Sequence, residues 1–158
     1  MENQPKKMAI IASKGTLDMA YPPLILATTA AALGYEVQVF FTFYGLQLLR
    51  RDLSHIKISP LANPAMPMPM PMPVMVSMLP GMEAMATSMM KAKMKKKGVA
   101  SLTELRDLCL EADVKFIACQ MTVDLFDFTK SDFIDGIEYG GAAMFLKFAG
   151  ETDVCLFI

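Results

Sequence analysis

The chain has 158 residues, a formal net charge of −1, 54% hydrophobic residues and a mean hydropathy of +0.38. That length suits one domain with a substantial core, and the near-neutral balance favours neither nucleic acid nor an acidic partner. A single histidine excludes a multi-histidine metal site and argues against a Ser-His-Asp triad, while three cysteines leave an odd thiol if two pair.

Residues 1–7 run directly into an apolar stretch and carry no secretory pattern, so reduced cytoplasmic thiols are expected rather than a disulfide framework. Met8 to Ser13 is a short continuous apolar run, as expected for a strand buried on both faces. After the Lys14-Gly15-Thr16 turn a helix is predicted from about Asp18 to Gly34, with Pro22 and Pro23 tolerated in its first turn. Residues 19–35 lack charge, but the prolines and Gly34 leave a segment shorter than the ~20 residues a bilayer requires.

Tyr35 to Phe43 is β-branched and aromatic, a second strand; Gly45 to Leu53 reads as a short helix with Leu46, Leu48 and Leu49 inward. Ile56 to Ser59 is the candidate for a short third strand. Residues 58–82 are again uncharged, and their seven prolines forbid a regular membrane helix. Within them Asn63 to Pro73 alternates Met with Pro, which favours an extended, polyproline-like path.

From Gly81 to Gly98 a methionine-rich helix is predicted, with Met82, Met85 and Met89 on one stripe and Met90 and Met94 beside it. Lys91, Lys93, Lys95, Lys96 and Lys97 crowd its last turns, where the helix dipole favours cations. Ser101-Leu102-Thr103-Glu104 is a capping box opening a helix whose expected inner face is Leu105, Leu108, Cys109 and Ala112. Val114 to Cys119 is the next strand, followed by a short helix over Thr122–Phe126 and another, capped by Ser131, through Ile134. Gly140-Gly141 opens a helix to Phe148, and Asp153 to Ile158 is the last strand. The alternation predicts an α/β fold: one Rossmann-like three-layer domain over residues 1–158, with a mostly parallel sheet of about five strands. Residues 62–98 form a Met/Pro-rich insertion.

The residue of greatest chemical interest is Cys119, because strand-end loops at the carboxyl edge of such a sheet build the ligand crevice. A helix N-terminus after the strand, capped by Thr122, would supply backbone N–H groups that favour a thiolate. The glycines at 140 and 141 would let a second helix N-terminus approach. Asp124 works against this, since a nearby carboxylate raises a thiol pKa. The bland alternative is a small hydrophobe at a strand end. Cys109, late in the preceding helix, reads as packing, and so does Cys155 in mid-strand.

Sixteen methionines suggest Cu(I), which accepts thioether ligands, but no histidine or cysteine joins their cluster. A flexible apolar lid or subunit interface accounts for them better. Lys14-Gly15-Thr16 lacks the upstream glycine of a phosphate loop. The lysine run reads as a solvated face, with docking of an anionic partner as the alternative.

Five stretches together resemble the DsrE/DsrF-like family, in its subgroup often labelled "peroxiredoxin family protein": residues 40–46, 63–69, 79–82, 117–124 and 135–142. The most specific are Ile117-Ala118-Cys119-Gln120-Met121-Thr122-Val123-Asp124 and Asp135-Gly136-Ile137-Glu138-Tyr139-Gly140-Gly141-Ala142. The resemblance implies a five-stranded domain that forms homo-oligomers, and a sulfur carrier or sulfurtransferase. Such a protein holds sulfane sulfur as a persulfide on Cys119 and exchanges it with a TusA-like carrier. Gln120, Met121, Thr122, Gly140 and Gly141 would line the pocket, with no cofactor, metal, nucleic acid or membrane span called for. Relatives often have glycine where this chain has Asp127; if that position requires a positive φ, aspartate tolerates it less well. No Thr-x-x-Cys peroxidatic signature is present. The rival from another class is a non-catalytic scaffold whose Met/Pro-rich lid binds a partner or a membrane surface.

Overall fold

Uninterrupted apolar runs need cover on both faces, and here a single sheet obtains it from helices on its two sides. The computed structural model describes residues 4–60, 63, 65, 69–70 and 73–158. Five strands are β1 (Lys7–Ala12), β2 (Glu36–Phe41), β3 (Lys115–Cys119), β4 (Glu138–Gly140) and β5 (Val154–Phe157). They lie in the order β4-β3-β2-β1-β5, every neighbouring pair parallel. The helices are α1 (Leu17–Ala32), α2 (Val74–Ser77), α3 (Met82–Lys96), α4 (Leu102–Glu111), α5 (Gln120–Leu125) and α6 (Ala142–Ala149).

Period-two alternation divides the strand residues between two unequal cores. Ile10, Val39, Phe41, Phe116 and Ala118 face α1 and α4, packing on Leu17, Leu24, Ala27 and Cys109. Phe41 and Phe116 meet edge to face there, centroids 5.0 Å apart. The opposite core is small: Ala9, Phe40, Ile117, Cys119 and Phe145 of α6. Phe40 and Phe145 stack at 4.9 Å and 16°. One eight-residue helix is the cover recorded on that face, and toward β5 Phe157 stays 73% exposed.

Several expectations need correction. Ile56–Ser59 is not a strand. Its polar groups are taken by helices: Ile58 N–H donates to Thr87 Oγ1 (3.0 Å), Ser59 N–H to Asp18 (2.9 Å), and Lys57 C=O accepts from Leu17 N–H (2.8 Å). The missing strand is instead β4, a three-residue edge too short to show a period. Pro22 and Pro23 lie beyond the first turn of α1. They remove the bonds that residues 22 and 23 would send to the carbonyls of Asp18 and Met19. Residues 43–49 form a 3-10 turn rather than a helix reaching Leu53.

The Ser101 capping box forms as read, but the buried side chains of α4 are Leu102, Arg106 and Cys109, with Leu108 48% exposed. Arg106 turns inward because its guanidinium donates to the carbonyls of Leu48 (3.0 Å) and Arg50 (2.7 Å), which end the 3-10 turn. On α3 the buried residue is Thr87, while Met85 and Met89 point to solvent and Met90 and Met94 pack on the core. Ser131 caps no helix; Thr129 and Asp132 form a reciprocal box around the 3-10 turn Lys130–Asp132. The alternating Met-Pro tract lies largely outside the described residues.

Backbone meets backbone where β1 and β2 end. A Cβ on Gly45 would overlap the carbonyl of Ala12, and one on Gly15 the carbonyl of Tyr44. Neither obstacle is a flexible side chain, so neither can yield cheaply. Gly45→Ala is expected to lower unfolding free energy by about 2–3 kcal/mol, read as a lower denaturant midpoint at unchanged slope.

Candidate functional site

β3 ends on Cys119 because the chain turns there directly into α5, of which Cys119 is the N-cap residue (φ −65°, ψ 110°). The helix therefore begins two residues earlier than Thr122, and Thr122 sits inside it. The sheet then sets the neighbours. Cys119 is in register with Gly140 on β4. On the other side the last paired residues are Phe41 and Ala118, which places Thr42 next to Cys119. The connection after β4 runs through α6 to the opposite face from α1 and α4. The β3–β4 edge is thus the point where connections diverge, the location at which open α/β sheets form their crevice.

Cys119 is 4% exposed and lies outside two cavities lined by described residues. The larger, of about 1130 Å³, lies between α1, α3 and α4. The strand-end position does not leave this sulfur open to solvent: the thiol packs with Phe40, Ile117 and Phe145. Gly140 keeps the neighbouring volume free of its own side chain, and the thioether of Met144 occupies it, with its sulfur 2.6 Å from where a Cβ on Gly140 would stand. Met144 is unbranched and 42% exposed, the kind of cover that can swing aside.

Two opposing effects act on the thiol. Burial pushes Cys119 up, but the Thr122 hydroxyl and N–H, the Thr42 hydroxyl and the Met121 N–H all face the sulfur and together hold it below its ordinary value. Cys119 makes no side-chain cap bond of full geometry; the donors lower its value without one. The groups named as lowering it are all neutral. The feared carboxylate, Asp124, accepts a hydrogen bond from Gln120 Nε2 at 2.8 Å on the exposed side of α5.

Of the residues singled out from sequence, Thr122 is fully buried, with its hydroxyl toward Cys119, and Gly140 stands beside it. Gln120 and Met121 line the outer surface of α5, Met121 59% exposed. Gly141 is the exposed N-cap of α6, with nothing near its Cβ position. Sequence reasoning missed Thr42, hidden as the tail of a strand. It also missed Phe43, whose φ of +46° is a left-handed backbone that an aromatic residue rarely adopts. Asp127 has φ +54°, so the position does require a positive φ, and an aspartate adopts it here.

The other cysteines part company. Cys109 is sealed between α1 and the sheet, its thiol donating to Leu24 C=O at 3.6 Å, and burial pushes it up to about 12. Cys155, expected to be packing, is exposed, because α6 does not reach over β5.

A parallel α/β sheet that ends an inner strand on a buried cysteine at a helix N-cap defines the class: a thiol-bearing α/β domain. The chain belongs to the DsrE/DsrF/DrsH-like family, whose model matches residues 4–157. It is 67% identical over 157 residues to the sulfur carrier protein DsrE2 of Allochromatium vinosum, covering 97% of this chain and 98% of that one. It is 35% identical to the uncharacterized protein YrkE of Bacillus subtilis along the full length of both. The crystal structure of the YchN protein from E. coli shares the fold, with a TM-score of 0.52 at 11% identity over 97% of this chain and 99% of that one. No described helix is long and apolar enough to cross a membrane.

Cys109 gives a pH test of this arrangement. Its folded value lies above that of the unfolded thiol, near 9, so the unfolded chain loses a proton first. Stability from this group is complete below pH 9 and lost progressively toward pH 12. Cys109→Ala should flatten the fall of unfolding free energy between pH 9 and 11, measured by denaturant titration. An unchanged slope would mean the thiol is not desolvated.

Proposed function

We propose that this protein is a sulfur carrier that holds sulfane sulfur on Cys119. One observation carries the reading: Cys119 ends β3 as the N-cap of α5, beside neutral donors that hold its thiol below its ordinary value despite burial. The high identity to a named sulfur carrier over nearly the whole chain supports it.

The chemistry needs no cofactor or oxidant. The Cys119 thiolate attacks the outer sulfur of a donor persulfide, R–S–S–H. A new S–S bond forms on Cys119, the donor's S–S bond breaks, and R–S⁻ leaves with the electron pair. The proton stays on the transferred sulfur, giving Cys119–S–S–H. An acceptor thiolate attacking that outer sulfur reverses the step. Carried through to turnover, this is sulfurtransferase-like activity.

Phe40 and Phe145 keep water from the inner sulfur. Met121 and Leu125, both more than half exposed on α5, and Phe43, 44% exposed, form an apolar rim for a docking partner. The partner in this reading is a small TusA-like carrier bringing its own thiol. The thinly covered face of the sheet, with Phe157 exposed on β5, supports assembly into a homo-oligomer. A carrier thiol that stays reduced between transfers suits a reducing compartment, so the reading includes a cytoplasmic location.

Cys119→Ser should abolish loading. After incubation with polysulfide, peptide mass spectrometry should find the added sulfur mass on the Cys119 peptide of the unaltered protein and none at that position in the variant. Equal loading of the variant, on Cys155 or elsewhere, would remove Cys119 from the role.

A further inference from the structure

Thr122, like Thr87 on α3, which accepts from Ile58 N–H at 3.0 Å, turns its hydroxyl to a neighbouring segment instead of to its own helix. Thr28 and Thr29 on α1 turn their hydroxyls back onto the carbonyls of Leu24 and Ile25, at 2.9 and 2.7 Å, the usual habit of helical threonine. Thr122, fully buried on α5, forms no such bond. Its Oγ1 instead accepts from Phe43 N–H at 3.1 Å and lies 3.3 Å from Thr42 Oγ1, where either oxygen can be the donor. Register puts Thr42 beside Cys119, and Thr122 lies three residues beyond it in the helix that Cys119 caps, so both hydroxyls flank the sulfur without a hydrogen bond of full geometry to it.

The two hydroxyls carry two O–H groups, and the bond between them consumes one. If Thr42 donates to Thr122, the Thr122 hydrogen is left for the sulfur. If Thr122 donates to Thr42, the Thr42 hydrogen is left. Phe43 N–H occupies a lone pair of Thr122 in either case, and its direction is fixed by the left-handed backbone at Phe43. Strained residues of this kind gather where a structure must hold a group in place. Thr42 has extended backbone (φ −128°, ψ 157°) and its N–H is anchored on Ala12 C=O at 3.1 Å, so neither oxygen is free to drift.

We infer that Thr42 and Thr122 form a reversible hydroxyl couple that always presents one O–H to the sulfur on Cys119 and positions it for transfer. The inference rests on the carrier reading above and names residues that serve its chemistry. When charge moves from the inner sulfur to the outer one after transfer, the couple reverses by rotating two hydrogens. No heavy atom moves. Thr122 and Thr42 are positioning residues, and each backs up the other.

The couple predicts non-additivity, which a merely structural threonine does not. The probe is the pH midpoint for iodoacetamide alkylation of Cys119 in the full chain, read on its peptide by mass spectrometry. The midpoint reports ionisation, whereas access scales the rate at every pH alike. Thr42→Val and Thr122→Val should each raise the midpoint slightly, since one hydroxyl remains. The double valine variant should raise it by about 1–2 pH units, more than the two singles together. Polysulfide loading at pH 7 should fall roughly tenfold or more in the double variant. Thr42→Ser with Thr122→Ser keeps both hydroxyls and should retain the original midpoint. Singles that sum to the double, or a double valine variant with an unshifted midpoint, would overturn the couple.

A measurement on the unaltered protein stands if the valine variants fail to fold. Because the donors are neutral, its midpoint should not move between about 0.02 and 0.5 M salt; a salt-dependent midpoint would overturn the assignment. Failure of the carrier reading looks different. The unaltered protein would then take up no sulfur on Cys119 while its midpoint still responded to the threonines.

Discussion

Desolvation and donation pull the Cys119 sulfur in opposite directions, and what this site can do depends on which prevails. The chain contains its own comparison. Cys109 and Cys119 are both buried, at 0% and 4% exposure, yet burial lifts the first to about 12 while the second is held below its ordinary value. Burial alone therefore does not distinguish them. Cys109 sits between α1 and the middle of the sheet, faces the acceptor oxygen of Leu24, and has one N–H, that of Thr28, to offset desolvation. Cys119 sits where a strand ends and has two hydroxyls and two N–H groups. A hydrogen bond to a charged group contributes about 1.5–3 kcal/mol, and one pKa unit corresponds to 1.36 kcal/mol. Even partly aligned, four such donors suffice to reverse the effect of burial.

The scaffold keeps those donors in place. Gly15 and Gly45 let the loops after β1 and β2 close backbone on backbone. That interlock places Thr42 and Phe43 at the edge beside Cys119. Across the sheet Gly140 leaves space that Met144 fills, so the same edge has a rigid, donor-bearing wall and a soft thioether wall. The arrangement suits a sulfur that must be shielded between transfers and uncovered during them.

Much of this was legible in the sequence, for identifiable reasons. Continuous apolar runs marked β1 and β3, and the Ser101–Glu104 box marked the start of α4 to the residue. Cys119 announced itself by ending such a run before a polar residue. What stayed hidden depended on contacts between distant segments. Ile56–Ser59 has the composition of a strand, but Asp18, Thr87 and Leu17 claim its hydrogen bonds. β4 is too short for any period. Thr42 read as one more β-branched strand residue, and nothing local says that its neighbour turns left-handed or that Thr122, eighty positions on, will meet it at 3.3 Å. The burial of Cys119 was missed as well, because the stacking of Phe145 over Phe40 is a tertiary event.

The central claim is about the charge on one sulfur, and the most direct measurement observes that sulfur without a reagent having to reach it. With 13Cβ-labelled cysteine in the intact protein, NMR titration reports each thiol separately. The account predicts a Cys119 signal that titrates below the value near 9 of an ordinary thiol. The Cys109 signal should stay unchanged until near pH 12. A Cys119 midpoint at or above the unperturbed value would mean that burial prevails over the donors, and the account would be wrong.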